Sequence, residues 1–165
     1  MELGESFIGS GVEAAHVNTV LGSRDGPVGQ AWATALATPS AGHAPFVVVL
    51  QPGLPAVPFT LFVNKARIED DGHGRLTWGA AQAGVASGVA DAVAAGTIDE
   101  ERAPTLALIT AVWVNPDARD DELVFANNRE ATAAALALGR AGLPAVADAL
   151  AQRDAAWNPY FRPPG

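Results

Sequence analysis

A few polar side chains with proton or carbonyl chemistry stand against a mostly apolar background. His16 lies in EAAHVNTVLG, residues 13 to 22, an apolar and β-branched run. An imidazole there must be paired or must face a cleft, because an unpaired buried polar group costs about 1 to 3 kcal/mol. Near neutral pH the ring can give or take a proton. Asn18, two positions on, points the same way in a strand, and its amide both donates and accepts. The two together could hold a small polar substrate. The plainer alternative is a histidine on a solvent-facing strand side, or one satisfied by backbone.

The basic residues comprise nine arginines and one lysine, Lys65, which sits in FTLFVNKARI with Arg67 expected on the same face. A lone ammonium offers a compact point charge that guanidinium does not. With Arg67 it would make a cationic spot for an anionic or carbonyl-bearing ligand, or equally a strand edge protected by charge. Gln82 stands near the start of an alanine-rich helix, where its amide could face a ligand lying against free backbone N–H groups.

Other candidates read more plainly. His43, in SAGHAPF, reads as a loop hydrogen bond, and His73, in DDGHGR, as a solvated turn residue. The acidic runs Glu69 to Asp71 and Asp117 to Glu122 read as solvated turns without metal-ligand spacing. The three histidines are too dispersed for a local metal motif, and the absence of cysteine removes thiolate ligands, disulfides and thiol nucleophiles. FIGSG lacks the lysine and the strand-then-helix context of a phosphate loop. No metal is expected.

The elements that must position these residues follow from periodicity. A strand is expected over 13–21, closed by Gly22 and the turn SRDGP, then a helix in VGQAWATALAT ended by Pro39. FVVVL reads as a short buried strand and residues 59–68 as another. EDDGHGR then reads as a hairpin loop with RLTW returning. Val85, Val89 and Val93 repeat every four residues before Gly96, the pattern of a helix with a glycine C-cap. TLALITAVWV, residues 105–114, is apolar on both faces, as a central strand should be. A helix follows from about Asn128, and a third, PAVADALAQRDA, leads into the Pro-rich tail NPYFRPPG. The sum is a mixed α/β layering, read as one domain over 1–165.

Acidic residues outnumber basic ones 18 to 10, a formal charge of −8, which disfavours nucleic acid because phosphate neutralisation needs cations. No apolar run approaches the roughly 20 residues of a membrane span, and the start is acidic rather than signal-like, so the expected location is the cytoplasm.

The stretches GESFIGSGVEAAHVNTVLG, GPVGQAWATALATPSAGHAPF, LQPGLPAVPFTLFVNKARI, GAAQAGVASGVADAV and NNREAT, in that order, resemble the formaldehyde-activating enzymes. The resemblance runs from Gly4 to roughly Glu130. It implies condensation of formaldehyde with tetrahydromethanopterin, a co-substrate, to the methylene derivative and water. It further implies a two-layer sandwich like ribosomal protein S5 domain 2 and a homopentamer with each pterin site between neighbours. By motif, His16 takes the place of the family's proposed general acid, and Asn18, Val47, Lys65, Arg67 and Gln82 fall on its pterin contacts. Where the family usually has aspartate, leucine and threonine, this chain has Asn18, Val47 and Arg67, the pattern of a divergent paralogue. A pterin or formaldehyde carrier that keeps the pocket without turnover is the alternative.

Overall fold

The computed structural model describes residues 1–159 and 161–163. Its strands are β1 (Glu2–Ile8), β2 (Ala15–Ser23), β3 (Phe46–Val47), β4 (Val49–Gln51), β5 (Leu54–Pro55), β6 (Phe59–Asn64) and β7 (Leu106–Trp113). Five form one sheet in the order β1-β2-β7-β6-β3, while β4 and β5 make a separate ribbon. Only the β6–β7 pairing is parallel, so the sheet is mixed. The helices are α1 (Pro27–Ala37), α2 (Asp71–Arg75), α3 (Gln82–Ala94), α4 (Asp121–Ala141) and α5 (Val146–Ala151). The fold is α/β, with helices layered on the sheet as expected.

The period-2 alternation sorts the sheet into two faces. Ala15, Val17, Thr19 and Leu21 of β2, with Leu108, Thr110 and Val112 of β7, are buried beneath the helical layer. There Val85 and Val89 of α3 and Leu136 of α4 join them in one apolar cluster. Gly4 lets α4 approach β1, since a Cβ there would strike the carbonyl of Ala135. The opposite face carries His16, Asn18 and Val20 of β2 and Ile109, Ala111 and Trp113 of β7, all half-buried. α1 shields only one end of it, its Val28 seated over Gly22.

The central position of β7, α1, and the Val85/Val89/Val93 helix with Gly96 in positive φ just beyond it match the sequence reading. Several expectations fail for physical reasons. EDDGHGR is not a hairpin loop and RLTW is not a strand: α2, a π-helical turn over Leu76–Ala81 and α3 run on continuously. Asp70 starts the run by accepting the His73 N–H at 2.8 Å, a side-chain N-cap. His73 is therefore buried, at 1% exposure, not solvated. Its Nε2–H donates to the Val114 carbonyl at 3.1 Å and its Nδ1 accepts from the Glu69 N–H at 3.3 Å, so both nitrogens are satisfied.

The strand expected over 59–68 ends at Asn64, and FVVVL is split between β3 and β4. α4 begins seven residues before Asn128, because Asp120 caps the Leu123 N–H at 3.0 Å and Asp121 and Glu122 suit the positive end of the helix dipole. α5 is shorter than the third helix read from sequence. Of the tail, Tyr160, Pro164 and Gly165 lie outside the described residues.

Candidate active site

His16 occupies the open face of β2, directly across from Phe7 on β1 and Trp113 on β7. The Phe7 ring stacks on the imidazole with centroids 3.6 Å apart and planes 11° from parallel, which fixes the ring's tilt. Lys65 comes from the other side of the sheet centre. Its backbone N–H donates to the Val112 carbonyl at 2.8 Å, so it prolongs the β6–β7 pairing by one residue before the chain turns away. Nζ then lies 3.2 Å from His16 Nδ1 and 3.3 Å from the His16 carbonyl oxygen.

A residue that sequence reasoning missed completes the group. Glu5, on the open side of β1, places Oε1 2.9 Å from His16 Nε2. That is an ion-pair distance without hydrogen-bond alignment, and Nε2 is otherwise buried without a hydrogen-bond partner. The signal was present but indirect. β1 was not recognised, and only the β1–β2 register, Glu5 opposite Asn18 and Phe7 opposite His16, brings the carboxylate to the ring.

Burial pushes the His16 pKa down and the Lys65 charge adds to this, while Glu5 opposes both. Burial likewise lowers Lys65 to about 8 against the pull of Glu5. At neutral pH the single positive charge therefore resides on the ammonium, and the imidazole is neutral. An ammonium can only donate, so Nδ1 accepts from it and the ring proton sits on Nε2, facing Glu5.

Asn18 lies next along the same face, half-buried between Glu5 and Ala111, as the alternation predicts. Arg67 does not share a face with Lys65, because the strand has ended and the chain bends at Lys65 and Ala66. Its side chain packs over Gly42, and the residue is exposed. The bend is clamped by buried Asn64, whose amide donates to the Gly42 and Ala66 carbonyls at 2.8 Å each. His43 Nδ1–H donates to the Asn64 carbonyl at 2.9 Å, the loop hydrogen bond expected of it.

Val47 and Gln82 form a second group. Val47 pairs with Leu61 in edge strand β3, and Gln82 Oε1 accepts the Val49 N–H at 2.6 Å. With Phe46 and Trp78 they line a shallow pocket of about 400 Å³. Gln82 does not sit at a free helix end, since the π-helical turn precedes it and takes up the backbone N–H groups. Among the described residues no hydrogen bond or ion pair links this group to His16 and Lys65, and no three His, Asp or Glu side chains converge as a metal site requires. No helix among them is long and apolar enough to cross a membrane.

On this α/β sheet an imidazole lies between an amine and a carboxylate, an arrangement able to move a proton. The chain belongs to the formaldehyde-activating enzyme (Fae) family, which matches residues 3–161. It is 42% identical over 158 residues to the 5,6,7,8-tetrahydromethanopterin hydro-lyase of Methanosarcina barkeri, covering 96% of this chain and 89% of that protein. It is 38% identical to the bifunctional enzymes Fae/Hps of Archaeoglobus fulgidus and Methanothrix thermoacetophila, over 96% of its own length in each case. It spans only 40% and 41% of those two longer proteins.

Proposed function

We propose that this chain, acting as one formaldehyde-activating domain, condenses formaldehyde with tetrahydromethanopterin to give methylene-tetrahydromethanopterin and water. The observation that carries this reading is the contact of His16 with Lys65 on an open sheet face. The formaldehyde oxygen must leave as water, hydroxide is a poor leaving group, and this pair holds a transferable proton. His16 is the residue that delivers it. Asn18, Val47, Lys65, Arg67 and Gln82 are the pterin contacts in this reading.

Two features support a site completed between copies of the chain, in the ring of five that the family resemblance implies. His16 and Lys65 form one group while Val47 and Gln82 form another, and Trp78, a large apolar side chain lining the second group's pocket, is exposed at 52%. The cytoplasm is the location this chemistry fits.

The test is the rate of methylene-tetrahydromethanopterin formation above the spontaneous reaction. His16→Ala should lose about a hundredfold to ten-thousandfold, the usual worth of a positioned acid or base. A wild-type chain that binds pterin without exceeding the background is a carrier, and the proposal then fails. His16→Ala with wild-type rate removes His16 from the chemistry.

A further inference from the structure

We propose that Lys65 takes up formaldehyde covalently as a methylene iminium, with His16 as the base that frees its amine and returns the proton to the departing hydroxyl, and Glu5 as the positioning residue behind the imidazole. This deepens the function proposed above and rests on it. The geometry is that of an activated nucleophile: an amine 3.2 Å from one ring nitrogen and a carboxylate 2.9 Å from the other. Lys65 is the only lysine, while every other basic side chain outside the histidines is a guanidinium that stays protonated and does not add to carbonyls. The ammonium is half-buried and held down to about 8 by burial, which releases far more free amine near neutrality than an ordinary lysine does.

The steps balance without an outside acid. His16 Nδ1 takes one proton from the Lys65 ammonium, and Glu5 offsets the charge of the resulting imidazolium. The freed lone pair forms a C–N bond to the formaldehyde carbon as the C=O π pair moves to oxygen. A second proton passes from nitrogen to that oxygen, giving a carbinolamine. The imidazolium returns its proton to the hydroxyl, the C–O bond breaks, and the nitrogen lone pair closes the iminium. The ammonium has thus given two of its three protons to the oxygen, which leaves as water, and one positive charge remains on nitrogen. A pterin nitrogen then attacks the methylene carbon, the C–N bond to Lys65 breaks, and the second pterin nitrogen closes the bridge. The two protons lost by the pterin nitrogens restore the ammonium.

The single lysine makes the test direct. The whole chain is treated with isotope-labelled formaldehyde and cyanoborohydride, which reduces an iminium to a stable N-methyl group, and the label is located by peptide mass mapping. Label should appear at Lys65 at least about tenfold faster than on a free lysine derivative at neutral pH, as a lowered amine pKa requires. His16→Gln should slow it. Glu5 is the charged group acting on Lys65, and His16 is the titratable group in contact with it. Glu5→Gln should therefore shift the midpoint of the labelling-rate profile to lower pH, which a merely structural role would not do.

Lys65→Arg keeps the cation but should reduce condensation to the spontaneous rate. Label confined to Met1, or a Lys65→Arg chain that condenses at the wild-type rate, overturns the covalent route. If the wild type accelerates condensation but Lys65 is not trapped, the proposed function stands and this inference falls. If Lys65 is trapped while condensation stays at background, the pterin reaction is what fails.

Discussion

Replacing Gly88 by alanine tests how closely the helical layer behind the site is packed. In an ordinary helix the change would stabilise by about 1 kcal/mol through propensity alone. Here a Cβ at Gly88 would stand 2.5 Å from the Arg129 carbonyl oxygen and 2.8 Å from the Thr132 Cβ. The nearest obstacle is α4 backbone, not a side chain that can swing away, so α3 and α4 must separate. Overpacking of that kind costs about 1 to 3 kcal/mol, and the upper half of the range applies. Separation would also stretch the bidentate Arg129–Asp91 pair, at 2.6 and 2.8 Å, which bridges the same two helices. The net expectation is a loss of about 1 to 2 kcal/mol, read from urea unfolding at fixed chain concentration. Gly79, in the π-helical turn, has nothing within 4 Å of its notional Cβ, so Gly79→Ala is the control and should be neutral or stabilising. Gly84 meets the Phe125 carbonyl at 2.5 Å, and one displacement would relieve both sites. The double change Gly84→Ala with Gly88→Ala should therefore cost less than the sum. A Gly88→Ala chain more stable than wild type would refute the close-packing argument.

His73→Ala should cost about 3 to 5 kcal/mol in unfolding free energy, since it opens a cavity and strips the Val114 carbonyl and the Glu69 N–H of their partners; a loss below about 1 kcal/mol would contradict the buried assignment. Lys65 sets a pH signature. Its pKa is 10.5 unfolded and about 8 folded, so between these values the unfolded chain binds more protons and rising pH favours the fold. Wild type should gain stability relative to Lys65→Met across that window and show no change in the difference below it, and a flat difference throughout would mean the ammonium is not desolvated.

Elements with one clear period were legible from sequence. β7 is apolar on both faces because it lies mid-sheet, and α3 announces itself through Val85 and Val89 with Gly96 beyond. His16 and Asn18 were placed on one strand face by alternation alone. What stayed hidden depends on partners far along the chain. The segment from Asp70 to Arg75 looks like a turn by composition, and it becomes helical because Asp70 caps it and His73 finds Val114, 41 residues away. Arg67 was misplaced because nothing local reveals that Asn64 clamps the chain into a bend. Glu5 was invisible for the same reason, since its contact with His16 exists only through a register.

That register also bears on the amide at position 18. An aspartate there would stand beside His16 and directly across from Glu5, so two carboxylates would face each other and each would favour protonation of the other. The amide removes that repulsion and leaves Glu5 as the carboxylate that answers the ring. Its pull does not make His16 a resident imidazolium, because burial and the neighbouring ammonium outweigh it. The two basic groups instead compete for one charge, and the lysine holds it at rest. A proton passed from the lysine to the ring would free the amine and arm the acid in one step, the coupling on which the proposed covalent route depends.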